Sequence, residues 1–141
     1  MLKITHNDVR MTHRRKEAVK ALSFYAKKLR IHKFDAEIHL AFKHGFTDLF
    51  GILASCEYTA TGLVTIDIDS KIPDVVLLST LAHEMVHARQ HLTGSLGSTP
   101  NGLMLWKGKT VSAKLTYSNE PWEREAMRKE IILSHQYNES R

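Results

Sequence analysis

Cysteine is almost missing from this chain. Cys56 stands alone, so no intrachain disulfide can form, and the composition suits a reducing compartment. A thiol paired with one of the nine histidines could act as a nucleophile. The strand pattern around Cys56 predicts instead a small, partly buried side chain. Long apolar runs are missing too. Val75-Val76-Leu77-Leu78 is far shorter than the roughly 20 residues that cross a bilayer, so no membrane contact is expected. The start, Met1 to Asp8, has no apolar h-region, and no secretory signal is expected. Internal repeats and low-complexity segments are absent. Together these gaps predict one domain over residues 1–141, working in the cytoplasm.

Acidic residues are also in deficit. Fifteen Asp and Glu face 20 Lys and Arg, a formal charge of +5. Much of the excess comes early, in Arg10, Arg14, Arg15, Lys16, Lys20, Lys27, Lys28, Arg30 and Lys33. Such a face can attract nucleic acid or acidic partners. No aromatic residues interleave with it as they would in a single-strand platform, and a solvated helix face is the plainer expectation.

What is present is mostly periodic. From about Thr12 to Arg30, Ala18, Val19, Leu22, Tyr25, Ala26 and Leu29 recur at three and four, which predicts a covering helix packed on a sheet. Phe34 to Phe42 alternates apolar and polar, a half-buried strand with His39 on the polar side. Lys43 to Asp48 reads as a loop. Ile52 to Tyr58 and Leu63 to Asp69 read as two strands, and the turn over 59–62 suggests that they pair as a hairpin. Asp67 and Asp69 share a face. Two carboxylates without a loop glycine do not make a calcium site, so both are expected on the solvated side. A last helix opens at Pro121, near its first position, and runs to about His135 or beyond.

Between the strands and that last helix lies the stretch on which chemistry can be built. Pro73 and Asp74 start a helix, with Val75, Leu78, Ala82 and Met85 expected on its buried side and Gly94 beyond its end. The helix carries His83-Glu84-Met85-Val86-His87. Residues i and i+4 lie one above the other, so His83 and His87 can reach one ion. Glu84, turned away by about 100°, reaches a water held by that ion. This is the H-E-x-x-H pattern of zinc peptidases: two ligands and a general base.

A catalytic zinc takes a third protein ligand. His91 would lie roughly 6 Å along the axis from His87, too far for the same ion. Glu123 and Glu125 are the better candidates. Two residues apart, they face about 200° from each other, so only one can point at the metal. The other is expected to make a salt bridge or to orient a ligand histidine. Tyr117, Tyr137 and His135 are candidates for stabilising an oxyanion, each with a structural role as the plainer expectation. The turn-rich segment from Gly94 to about residue 118 is expected to form a lid or rim, with 103–112 either a small hairpin or an irregular excursion.

His83 to Gln90, followed by Trp106-Lys107-Gly108 and by Pro121-Trp122-Glu123-Arg124-Glu125-Ala126, resembles a group of small zincin-like metallopeptidases, mostly phage-encoded. Glu-x-Glu-Ala after the H-E-x-x-H helix is also similar to the ImmA/IrrE peptidases. There the first Glu is the third ligand, which favours Glu123. Those peptidases place Asn or Asp after the Ala, where this chain has Met127, so Glu125 stays open. The SprT-like family shares the His-Glu-Met-x-His core but takes its third ligand from a Gly-His-Gly segment that this chain lacks. The resemblance implies a gluzincin-type enzyme that cuts peptide or protein substrates with Zn²⁺, in the host cytoplasm if phage-encoded. It further implies that the strand Leu63 to Asp69 borders the cleft and pairs with extended substrate. The expected fold is α+β: an N-terminal covering helix, a three-stranded, mainly antiparallel sheet, the H-E-x-x-H helix and a C-terminal helix.

Overall fold

A computed structural model describes residues 1–7, 12–59 and 62–141. Arg10 and part of the 59–62 turn lie outside the described residues. The fold is α+β. In chain order it runs β1 (Lys3–His6), α1 (His13–Lys28), β2 (Glu37–Lys43), α2 (Phe46–Phe50), β3 (Ala54–Tyr58) and β4 (Leu63–Asp69). Then follow α3 (Asp74–Leu92), β5 (Leu96–Ser98), β6 (Met104–Trp106), β7 (Lys109–Thr110), a short 3-10 turn (Tyr117–Asn119) and α4 (Pro121–Ser140).

The main sheet corrects the three-stranded, mainly antiparallel expectation. It has four strands in the order β1-β2-β4-β3. β1 and β2 are parallel, β2 and β4 are parallel, and only β3 and β4 are antiparallel. The hairpin 54–69 is therefore as expected, but its inner strand β4 is docked on β2 after a crossover. The crossover sets direction, and no local pattern records it. α2 occupies part of the 43–48 stretch expected to be a loop. Its first residue, Phe46, is buried and packs edge-on against Phe50 at 4.9 Å.

One face of the sheet builds the core. Ile38 and Leu40 of β2 stand beside Val64 and Ile66 of β4, and all four are fully buried. Ala18, Ala21, Leu22 and Tyr25 of α1 pack into the same cluster with Leu81, Ala82 and Met85 of α3. The Tyr25 hydroxyl donates to the Leu78 carbonyl at 3.0 Å, and Arg89 donates to the Leu29 carbonyl at 3.1 Å. α1 is thus pinned to α3 at two levels. Val75 does not join the buried side as expected; it is 91% exposed, and Leu77 and Leu81 take that role. α3 ends as expected, with Gly94 at φ +77°, a backbone shape glycine adopts without strain. α4 has Pro121 at its start and buries Trp122, Ala126, Leu133 and Tyr137 along one side.

Asp69 is a second correction. It is buried, and its carboxylate accepts the Thr47 and Lys71 amides, each at 2.8 Å. The Thr47 hydroxyl beside it and these two amides hold its pKa down to about 2. It ties α2 and the β4–α3 turn together rather than facing solvent. Asp67 pairs with Lys43 at 3.2 Å. Residues 94–118 are less irregular than expected: β5, β6 and β7 form a small antiparallel sheet, an arm carried between α3 and α4. Among the described residues no helix is long and apolar enough to cross a membrane.

Candidate metal centre

α3 and α4 pack against each other, and the chemistry lies on the seam. His83 Nε2, His87 Nε2 and Glu123 Oε1 converge there, with separations of 3.0, 3.1 and 3.2 Å. They form a group of three donors able to hold one ion. Ligands about 2.0–2.1 Å from a tetrahedral ion lie about 3.3 Å apart, so the triangle needs only a few tenths of an ångström of expansion. Two imidazole nitrogens and a carboxylate oxygen face one point, an arrangement that either a ring proton or a bound cation satisfies.

The far side of each ring fixes its tautomer. His87 Nδ1 lies 2.8 Å from Gln90 Oε1. The Gln90 amide nitrogen donates to the Trp122 carbonyl at 2.9 Å and to Glu125 at 3.1 Å, which leaves only its oxygen for His87. His87 Nδ1 must then carry the proton, and Nε2 keeps its lone pair for the centre. His83 Nδ1 lies 3.2 Å from Glu130 Oε1, which orients it the same way. Such outer partners commonly position metal-bound histidines.

The structure thus separates the two candidate carboxylates. Glu123 reaches both imidazoles; Glu125 meets Gln90 and acts on His87 only through that amide. Glu84 is not among the three converging donors, but it is buried and lines the same cavity. His91 also lies outside the donor group. Its ring stacks on Tyr58, with centroids 5.5 Å apart and planes at 5°. Of the three oxyanion candidates, only Tyr117 lines the cavity. Tyr137 is buried against Phe24 and Tyr25, and the exposed His135 pairs with Glu139 at 2.7 Å.

Two site residues escaped the sequence reading. Gln90 follows His87 by three residues, close to one helical turn, a spacing that puts it within reach of the ring. Glu130 follows Glu123 by seven, close to two full turns, so both carboxylates fall on one face.

The electrostatics follow from crowding. Burial works against a charged His83, but hydrogen bonds to Glu123 and Glu130 outweigh it and push the ring up to about 9. Burial likewise opposes charge on His87, and Glu123 and Gln90 more than offset it. Glu123 is buried as well, yet the two imidazoles hold it far below the usual carboxylate range. Burial raises Glu84, only partly offset by His87 and His83. Burial, then the Glu84 and Glu57 carboxylates, raise the Cys56 thiol, which leaves it a poor nucleophile.

The cavity holds about 560 Å³. α3 and α4 form one wall. The other is β3, with Ala54 and Cys56, not the strand Leu63–Asp69 expected to border the cleft. β4 is paired on both sides and has no free edge. β3 has one. The Leu53 carbonyl accepts from Asp69 and the Thr59 amide donates to Leu63. Ser55 and Glu57, in phase with them, therefore turn their backbone groups to β4, and Ala54, Cys56 and Tyr58 turn theirs to the outer edge. Leu96 and Met104 of the arm close the rim.

Comparison with family models, curated proteins and solved structures finds no match to this chain.

Proposed function

We propose that this chain is a zinc-dependent peptidase, with His83, His87 and Glu123 as the metal ligands and Glu84 as the general base. The observation that carries the reading is the meeting of both Nε2 atoms with Glu123 Oε1 beside a buried glutamate. Zinc held there would polarise the scissile carbonyl and acidify water at the site. Glu84 takes the water's proton and returns it to the leaving amine. Ala54, Cys56 and Tyr58 offer backbone donors and acceptors to an extended peptide laid along β3. A gluzincin-type, zincin-like assignment is part of this proposal, as is residence in a reducing cytoplasm, a host's if the chain is phage-encoded. The single cysteine supports the compartment.

Metal analysis and a hydrolysis assay test the reading together. Glu84→Gln should keep about one zinc per chain and lose hydrolysis. Undiminished hydrolysis would remove Glu84 from the mechanism, and a wild-type chain that takes up no zinc would remove the enzyme. A non-catalytic zinc module is the alternative, and it gives no reason for the buried Glu84.

A second reading has its own observation. Lys16, Lys20, Lys27 and Arg30 recur on the exposed side of α1, where a duplex phosphate backbone could lie. Arg14 does not belong to that stripe: it donates to the Ser70 and Ile72 carbonyls and pairs with Asp74. Reversing Lys16, Lys20 and Lys27 should abolish any salt-dependent DNA binding; no binding by wild type at low salt would dismiss the reading.

A further inference from the structure

Most of the large apolar side chains that the fold leaves exposed fall in two groups, with Met1, Val75, Ile131 and Ile132 standing apart from both. Leu49, Phe50, Ile52 and Leu53 lie on the stretch that enters β3. Leu103, Met104, Leu115 and Tyr117 lie on the arm and the turn that follows it. Ile52 and Leu53 from the first group and Met104 and Tyr117 from the second line one cavity with the three converging donors. Exposed apolar surface gathered round a cleft marks a binding site.

We infer that the substrate is an extended polypeptide segment with large aliphatic or aromatic side chains beside the bond to be cut, the kind of segment that folded proteins bury. The inference rests on the peptidase reading and names its substrate class. The free backbone groups of Ala54, Cys56 and Tyr58 match a peptide main chain, which a lipid surface does not offer. The cleft holds Glu84, Glu123 and Glu130; bound zinc would offset Glu123, which leaves Glu84 and Glu130 as its acidic groups. Acidic side chains are therefore disfavoured near the cut, and apolar ones meet Leu53 and Met104. The cavity lies within the ordinary range of ligand pockets, roughly 300–1,000 Å³, large enough for side chains of this size.

The test is digestion of a randomised peptide library by the zinc-loaded full chain, with the products sequenced. The expected result is enrichment of aliphatic and aromatic residues on at least one side of the cut, and depletion of Asp and Glu. Leu53→Asp and Met104→Asp, both at partly exposed positions that tolerate a polar side chain, should each lower kcat/KM on the best apolar peptide by about tenfold or more, with zinc content unchanged. Cleavage without enrichment overturns the inference and leaves the peptidase reading standing. So does wild-type efficiency in both variants. Sedimentation that shows a dimer abolished by the same substitutions, with no sequence preference in cleavage, assigns the rims to self-association. A chain that holds zinc and cuts nothing overturns the peptidase reading and the inference with it.

Discussion

The helical wall of the cleft and the strand wall opposite it treat their polar groups differently. On the helical wall, each imidazole that faces the centre is held at both nitrogens, and Gln90 is held at both ends of its amide. Across the cleft, β3 leaves the backbone groups of Ala54, Cys56 and Tyr58 without a neighbouring strand, and Ile52 and Leu53, on the stretch that leads into it, stand exposed. The first wall is ordered before anything binds, which cuts the cost of gathering ligands around an ion. The second has bonding capacity left over, which suits a partner of variable sequence. On the proposed reading, the difference separates a place for one small cation from a place for a chain.

The sharpest way to break this comparison is to exchange the roles of the two glutamates. Glu123→Ala should lower zinc affinity by more than the roughly 10–100-fold typical of an outer partner, whereas Glu125→Ala should stay at or below that range. Equilibrium zinc titration of both variants decides it, and equal losses would mean that the metal takes a different third ligand. Next in size are the groups behind the rings. Gln90→Ala and Glu130→Gln should each weaken zinc by about 10–100-fold while the fold, read by circular dichroism, is kept. Unchanged affinity in both would show that the helical wall is not held in readiness by its own network.

A smaller effect is expected on the arm. Trp106 sits 6.4 Å from Trp122, ring to ring, and Trp106→Ala should speed amide hydrogen exchange across β5, β6 and β7. Zinc affinity should change by less than about threefold, because no donor lies on the arm; a larger change would join the two walls into one unit. The smallest effect concerns a carboxylate that does not line the cleft. Asp69 has a pKa lowered to about 2 from 3.8. Its contribution to stability is fully present above 3.8 and is lost as pH falls through about 2. Asp69→Asn should flatten that part of the acid-unfolding curve, measured by urea titration between those limits. A curve parallel to wild type would mean that the Thr47 and Lys71 amides do not distinguish charged from neutral Asp69.

Local periodicity made some of this legible. β4 occupies the residues its alternation marks, and α4 starts at Pro121 in its first turn, whereas Pro73 stands just before α3, which begins at Asp74. His83 and His87 needed only the four-residue spacing. The rest depended on distant parts of the chain. β1 is four residues long, and its partner lies beyond a whole helix. The choice of β3 over β4 as cleft edge turns on which strand docks on β2. Glu123 and Glu125 could be separated only by knowing how α4 is rotated about its axis. That signal was in the sequence: Ala126, Leu133 and Tyr137 run down one side in steps of seven and four, and Glu123 and Glu130 continue that side, whereas Glu125 does not.

Glu123 bears on more than the ion. It comes from the last helix, while both histidines come from the helix before the arm, so any ion held by the three spans parts of the chain about 40 residues apart, like a clasp. A ligand that binds only the closed form stabilises it by mass action, about 2.7 kcal/mol at a free concentration one hundred times its dissociation constant. α4, docked already without metal, would then be held more firmly as free metal becomes plentiful. Scarcity would do more than silence the site: it would withdraw that added stability from the seam of Trp122, Ala126 and Leu133, and the lifetime of the chain would follow the metal economy of its surroundings.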